Sequence, residues 1–319
     1  MPKRLREHAV PHSLTGIGGS LVALATPLLE GQIDDAALVR LAERQIARGT
    51  AGLVVCGSTG EASALTPAEH EHIVRIVANV AAGRVPVIAG CTSVATETSV
   101  ALAEAARNAG ADGLLCAAPP YCKPTQEGIA AHIGAVARAS GLPIILYDVP
   151  SRAGVAIGDA TVARLFEAGL IVGIKDATAD LSRPPRLRSL CGEQLLQLSG
   201  DDATQVAYRA MGGGGCISVT ANIAPALCAL LHRAWDKGDL ATVAKLRDRL
   251  DPLHTALFAE SNPIPLKAAL AELGLCAATA RLPLTQAEPT TVERLRHTLH
   301  EVMALEEQFA LRRRYALAS

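Results

Sequence analysis

The chain has 319 residues, half of them hydrophobic, and a formal net charge of −1. That length suits one large α/β domain or two small ones, and a pI of about 6.8 gives no electrostatic footprint for nucleic acid. No apolar stretch approaches the ~18 residues that span a bilayer, so no membrane partner is expected.

The first residues, Met1-Pro2-Lys3-Arg4-Leu5-Arg6-Glu7-His8, are basic with no apolar core behind them, unlike a secretory signal. Residues 1–15 are expected to form an N-terminal arm. Apolar runs at 20–25, 52–56, 85–89, 113–117, 143–147, 170–175, 195–199 and 215–219 then read as strands. Most are almost wholly apolar, as strands covered on both faces should be. Helical patterns lie between them. Residues 34–47 put Ala37, Leu38, Leu41, Ala42, Gln45 and Ile46 on one stripe, and Gly49 follows as a stop. Thr66-Pro67-Ala68-Glu69 is a capping box with proline at the first helical position. Residues 96–109 and 126–140 behave alike.

Eight βα units predict a closed (β/α)8 TIM barrel over residues 16–236. A doubly wound open sheet is the alternative, but it usually has fewer strands. From Asp239 to about Phe309 the pattern is purely helical. This predicts a C-terminal helical extension, 237–319, ending in the basic tail Arg312-Arg313-Arg314. The eight cysteines form no Cys-x-x-Cys pair and mostly sit in apolar runs. They read as core residues of a cytoplasmic protein in a reducing compartment.

In such a barrel the chemistry sits at the C-terminal ends of the strands. Those ends read Gly57-Ser58-Thr59-Gly60-Glu61, Pro119-Pro120-Tyr121, Tyr147-Asp148-Val149-Pro150-Ser151-Arg152, Lys175, Ser199-Gly200-Asp201-Asp202 and Thr220-Ala221-Asn222. Lys175 ends a buried run, where an ammonium must be paired, desolvated or functional. A neutral lysine amine attacks carbonyl compounds and forms Schiff bases. The alternative is a lysine leaving the strand for solvent. The Gly57–Gly60 turn is either an ordinary βα connection or a cradle of hydroxyls and N–H groups for a small anion. Arg152 reads equally as a solvated loop residue, and Asp201-Asp202 as a helix cap. Gly212-Gly213-Gly214-Gly215 precedes a strand instead of opening a helix, so it is a weak phosphate loop. The histidines lack ligand spacing, and no nicotinamide fingerprint occurs. One lysine, two tyrosines, a hydroxyl-rich turn and one arginine need no metal and no organic cofactor, and would suit a Schiff-base site for an α-keto acid.

Taken in order, these motifs resemble the dihydrodipicolinate synthase family, which is grouped with the N-acetylneuraminate lyases and the 2-keto-3-deoxy-acid aldolases. The similarity runs from about Gly19 to Leu284. It adds Ala153-Gly154, Gly173-Ile174-Lys175-Asp176-Ala177-Thr178, Ile217-Ser218-Val219-Thr220-Ala221-Asn222 and Ser261-Asn262-Pro263-Ile264-Pro265-Leu266-Lys267 to the segments above. The resemblance implies condensation of pyruvate with aspartate 4-semialdehyde, through a lysine Schiff base, to 4-hydroxy-tetrahydrodipicolinate. The alternative is a related pyruvate-dependent lyase for a sugar acid such as N-acetylneuraminate or 2-keto-3-deoxygluconate. By resemblance, Lys175 condenses with pyruvate, Tyr147 relays protons, and Ser58 and Thr59 hold the pyruvate carboxylate. Tyr121 enters a neighbour's site across a dimer interface, and Arg152 binds the second carboxylate. Ile217 lends a main-chain carbonyl near the lysine, and Gly200 joins the substrate-binding set. A homodimer or homotetramer is implied.

Two positions depart from the family pattern. Ser58 stands where the synthases usually have threonine, keeping the hydroxyl but losing the methyl that restricts its rotamer. Many members are inhibited by lysine through a histidine, an asparagine, a glutamate and a tyrosine, and the matching positions here are His70, Val94, Thr98 and Pro120. The carboxylate that would pair the lysine ammonium is absent, so weak or no inhibition is expected.

Overall fold

The strands, in chain order, are β1 (Gly19–Ala23), β2 (Leu28–Leu29), β3 (Gln32–Ile33), β4 (Gly52–Val55), β5 (Val87–Gly90), β6 (Gly113–Ala117), β7 (Ile144–Asp148), β8 (Gly173–Asp176), β9 (Leu196–Ser199) and β10 (Gly215–Ser218). Eight of them close a barrel in the order β1-β10-β9-β8-β7-β6-β5-β4, each pair parallel. The coordinates are a computed structural model that describes Leu14 and residues 16–318, with side chains described through Leu311. Most of the expected N-terminal arm and the side chains of the basic tail therefore lie outside the described residues. Leu14 is buried in the inner barrel cluster with Leu21, Val54 and Ile145.

The helices are α1 (Asp35–Arg48), α2 (Pro67–Ala81), α3 (Thr96–Asn108), α4 (Gln126–Ser140), α5 (Pro150–Ala153), α6 (Asp159–Glu167), α7 (Arg183–Cys191), α8 (Gln205–Ala210), α9 (Pro225–Asp236), α10 (Leu240–Leu257), α11 (Ile264–Glu272) and α12 (Pro289–Ala318). The capping box at Thr66 is formed, with Thr66 accepting from the Glu69 N–H and Glu69 accepting from the Thr66 N–H. The strands alternate between two cores. On β8, Ile174 faces the layer shared with the helices, whereas the neighbouring β7 residue Tyr147 belongs to the cluster inside the barrel. Period-2 alternation therefore turns Lys175, one residue after Ile174, into the interior.

Two features depart from the sequence pattern. The β2–β3 hairpin is too short to leave a periodic signal, and its turn uses Glu30 and Gly31, both at positive φ. The C-terminal region is not purely helical, because residues 273–288 form an irregular segment between α11 and α12. Arg281, Pro283 and Leu284 of that segment reach the C-terminal ends of the barrel strands. The glycine run at 212–215 serves packing, since a Cβ on Gly215 would lie 2.2 Å from the Gly19 carbonyl oxygen.

The seam between β1 and β10 is closed by parallel backbone pairing, and Asn222 from the polar turn after β10 ties the strand ends beyond it. Asn222 donates from Nδ2 to the Ala23 carbonyl at 2.8 Å and accepts from the Ala25 N–H at 3.1 Å. The α12 residue Glu306 then holds the start of α9. Its carboxylate accepts from the N–H groups of Ala226 and Leu227, both at 3.0 Å, and from Arg48 Nη1 at 2.8 Å. These are N-terminal helix donors with no intrahelical partner. Because Glu306 is 0% exposed, Glu306→Ala is expected to lower the unfolding free energy by about 3–5 kcal/mol, as when one member of a buried ion pair is removed. Urea unfolding measures this, and a loss under about 1 kcal/mol would contradict it.

Candidate functional site

Parallel register brings the chemistry together. Tyr147 on β7 pairs with Lys175 on β8, and Lys175 with Leu198 on β9. Lys175 is only 5% exposed, and its Nζ lies 4.3 Å from the centroid of the Tyr147 ring. Among the described residues it forms no ion pair and no side-chain hydrogen bond. Gly200, after β9, leaves room for it, since a Cβ there would stand 3.1 Å from Lys175 Cε and 2.9 Å from Ala177 Cβ.

The strand ends just beyond these two residues are pinned by buried charge. Arg183 donates to Asp148 Oδ2 at 2.7 Å and to Asp159 Oδ1 at 2.9 Å, and lies 3.6 Å from Asp176. Burial pushes the Asp148 carboxyl upward, and the Arg183 guanidinium opposes that. Asp148 also accepts from the Ile157 N–H at 3.2 Å, and Asp176 from the Thr178 N–H at 2.9 Å. Tyr147 and Lys175 thus sit on backbone that has little freedom to shift.

Above Tyr147 opens a cavity of about 370 Å³ at the C-terminal ends of the strands. Its wall includes Ser58, Tyr147 and Arg152 from the sequence-predicted set, several alanines, and Asn262, Arg281, Pro283 and Leu284 from the C-terminal extension. Thr59 lies just behind, its Oγ1 accepting from Asn262 Nδ2 at 2.9 Å. The Asn262 carbonyl accepts from Arg152 Nη2 at 3.1 Å. One asparagine therefore joins the hydroxyl turn to the arginine. Ile217 is buried in the inner cluster below.

Tyr121 is not brought to this cavity. It is 92% exposed, in the left-handed region at φ 72, with Lys123 likewise at φ 46. The two aspartates after β9 divide their work. Asp201 accepts from the Thr204 N–H at 3.2 Å near the start of α8. Asp202 reaches instead across to β10, where it accepts from the N–H groups of Val219 and Thr220 and pairs with the Ser218 hydroxyl. Among the described residues no three His, Cys, Asp or Glu side chains cluster as metal ligands.

The 57–61 turn is bracketed by Cys56 at φ 52 and Glu61 at φ 56. Such left-handed non-glycine residues cost about 1–3 kcal/mol each and need support from their surroundings. Support comes from outside the barrel. Glu61 is ion-paired to Lys267 of α11 and accepts from the Arg281 N–H at 2.8 Å. Burial pushes the Lys267 ammonium down, and the Glu61 carboxylate opposes that. Arg281 in turn donates to Glu69, and this guanidinium holds the Glu69 carboxyl down at about 2.

The match to known proteins follows this geometry. Residues 16–302 match the dihydrodipicolinate synthetase family. The 4-hydroxy-tetrahydrodipicolinate synthase of Acidiphilium cryptum is 51% identical over 279 residues, covering 87% of this chain and 96% of that one. The chain belongs to the dihydrodipicolinate synthetase family.

Two solved family structures are close to it. The dihydrodipicolinate synthase of Aquifex aeolicus superposes with a TM-score of 0.87 at 40% identity, covering 89% of this chain and 97% of that one. The chloride-inhibited enzyme of Acinetobacter baumannii, complexed with pyruvate, gives 0.87 at 42%, covering 90% and 99%. In this member of the family, motif reading in the barrel passed over three features: the Arg183 clamp, the Glu61–Lys267 pair and the Arg281 segment. Lys267 did carry a signal, because a lysine inside the apolar stretch Ile264–Leu270 requires a buried acid.

Proposed function

We propose that this chain is a 4-hydroxy-tetrahydrodipicolinate synthase that condenses pyruvate with aspartate 4-semialdehyde through a Schiff base on Lys175. The observation that carries the assignment is the Lys175 nitrogen, buried without a carboxylate partner, 4.3 Å from the ring of a tyrosine that lines the cavity. The synthase name of the close relatives favours this over a sugar-acid lyase.

The pyruvate carboxylate sits against the hydroxyls of Ser58 and Thr59. Since Thr59 Oγ1 already accepts from Asn262, its O–H is free to donate. The Lys175 amine adds to the keto carbon, and the carbinolamine loses water to give an iminium, with Tyr147 relaying the protons. The iminium withdraws electrons, so a methyl proton leaves and an enamine forms. Its carbon attacks the semialdehyde aldehyde while Arg152 holds that substrate's carboxylate. The substrate's own amine then attacks the iminium carbon, closing the ring and freeing Lys175. Gly200 keeps the lysine chain in place, and by family resemblance the Ile217 carbonyl takes part beside the reacting lysine. No cofactor is needed. A cytoplasmic enzyme is inferred from the eight cysteines, which stay free as in a reducing compartment.

Borohydride reduction with pyruvate should attach the keto acid to the Lys175 peptide, read by mass spectrometry. Lys175→Ala should remove nearly all turnover and all trapping, and Tyr147→Phe should lower kcat by about 10²–10⁴-fold with the fold intact. Wild-type rates in both variants would refute the assignment.

A homodimer or homotetramer completes the site, with the exposed Tyr121 of one protomer entering its partner's cavity. Lys175→Ala and Tyr121→Ala chains, each poorly active alone, should regain activity when co-assembled. Failure to complement in a mixed assembly verified by mass would count against the exchange.

L-lysine should inhibit weakly or not at all. The His70 ring is engaged with the Gly90 carbonyl at 2.7 Å, while Val94 and Thr98 are exposed and offer no carboxylate. An activity titration with L-lysine tests this, and strong inhibition at low concentration would reverse it.

A further inference from the structure

Lys267 and Glu61 meet behind the hydroxyl turn in a place closed to solvent, with Lys267 0% and Glu61 3% exposed. Both oxygens of Glu61 are claimed, Oε1 by the Lys267 ammonium and Oε2 by the Arg281 N–H at 2.8 Å. The ammonium also donates to the Thr279 carbonyl at 2.7 Å. The Glu61 backbone ends a tight turn, where its N–H donates to the Ser58 carbonyl at 3.2 Å and the Gly60 N–H to the Gly57 carbonyl at 3.0 Å. Where Glu61 sits therefore sets where Ser58 and Thr59 sit.

We infer that Lys267 is a positioning residue for the reaction: through Glu61 it fixes the turn carrying Ser58 and Thr59 and ties it to the segment 279–284 at the cavity wall. The inference rests on the function proposed above. Stability alone is a poor reason for the pair, since a buried ion pair is often replaced by apolar side chains of similar volume without loss. A methionine at 267 would fill the same space but could hold neither the carboxylate nor the Thr279 carbonyl. The pair also acts across two parts of the fold, joining the loop after β4 to α11 and to the segment following it.

The test compares Lys267→Met and the charge-free pair Lys267→Met/Glu61→Gln with the wild type, after circular dichroism and gel filtration have shown which variants fold. The double variant leaves no unpaired buried charge, so it keeps the test open if the single one misfolds. If the pair positions the carboxylate anchor, the folded variant raises KM for pyruvate about tenfold, with kcat and KM for the semialdehyde changed less than about twofold, the pattern of lost ground-state binding. A folded variant with lower thermal stability but wild-type pyruvate KM overturns the inference and leaves the pair a structural element. Borohydride trapping of pyruvate on the wild-type enzyme separates the two claims. Trapping at Lys175 with an unmoved KM in the variant defeats this inference alone, whereas no trapping in the wild type defeats the proposed reaction first.

Discussion

A lysine cannot be buried without something happening to its charge, and two among the described residues are buried in different ways. Lys267 is sealed between a carboxylate and a carbonyl. Its nitrogen has two acceptors and, at 0% exposure, no route to a ligand. Lys175 is almost as deep, yet its nitrogen meets only the face of Tyr147. An ammonium over an aromatic ring gains about 1–2 kcal/mol, far less than a carboxylate would supply in the same surroundings. The same side chain is thus a rivet in one place and an amine without a carboxylate partner in the other. The difference lies in what the neighbouring strand or helix offers.

The offer is made by register. With Tyr147 opposite Lys175 on β7 and β8, and with Asp148 and Asp176 one residue further along both strands, each strand changes task at its last residue. Inside the barrel it contributes an aromatic ring and an amine. At its rim it contributes two carboxylates that share Arg183. Arg183 offsets the charge of this rim cluster, although Asp176 Oδ2 is buried without a hydrogen-bond partner among the described residues. A shift of one residue in either strand would exchange the two roles and put a carboxylate beside the interior position.

Much of this was legible in the sequence because the barrel obeys local rules. Apolar runs at 52–56 and 113–117, the Thr66 capping box and the stripe on α1 each follow from residue spacing, and their order implies a closed sheet. The position of Lys175 at a strand end followed from the same pattern. What spacing could not supply was contact between residues some two hundred positions apart. Thr59 meets Asn262, and Glu61 meets Lys267 and Arg281. Periodicity between residues 239 and 309 suggested helix throughout, whereas breaks at 258–263 and 273–288 carry the residues that reach the cavity. The exposure of Tyr121 was equally hidden, since a tyrosine at a strand end reads the same whether it turns into its own site or away from it.

The two faces of the barrel also differ in how they tolerate strain. At the bottom, where helices return to strands, the left-handed positions are mostly glycines such as Gly49 and Gly141, which adopt that conformation at no steric cost. At the top the burden falls on residues with side chains. Of the seven described non-glycine residues at positive φ, six (Glu30, Cys56, Glu61, Tyr121, Lys123 and Ala179) lie in loops leaving the C-terminal ends of strands, and only Ala82 ends a helix. A glycine at 61 would relax the turn but lose the carboxylate that anchors it, and a glycine at 121 would lose the phenol. Strain persists where a side chain is needed at a backbone angle it disfavours. The buried scaffold beneath, tied at its strand ends by Asn222 and braced by Glu306, is what lets the mouth of the barrel hold those angles.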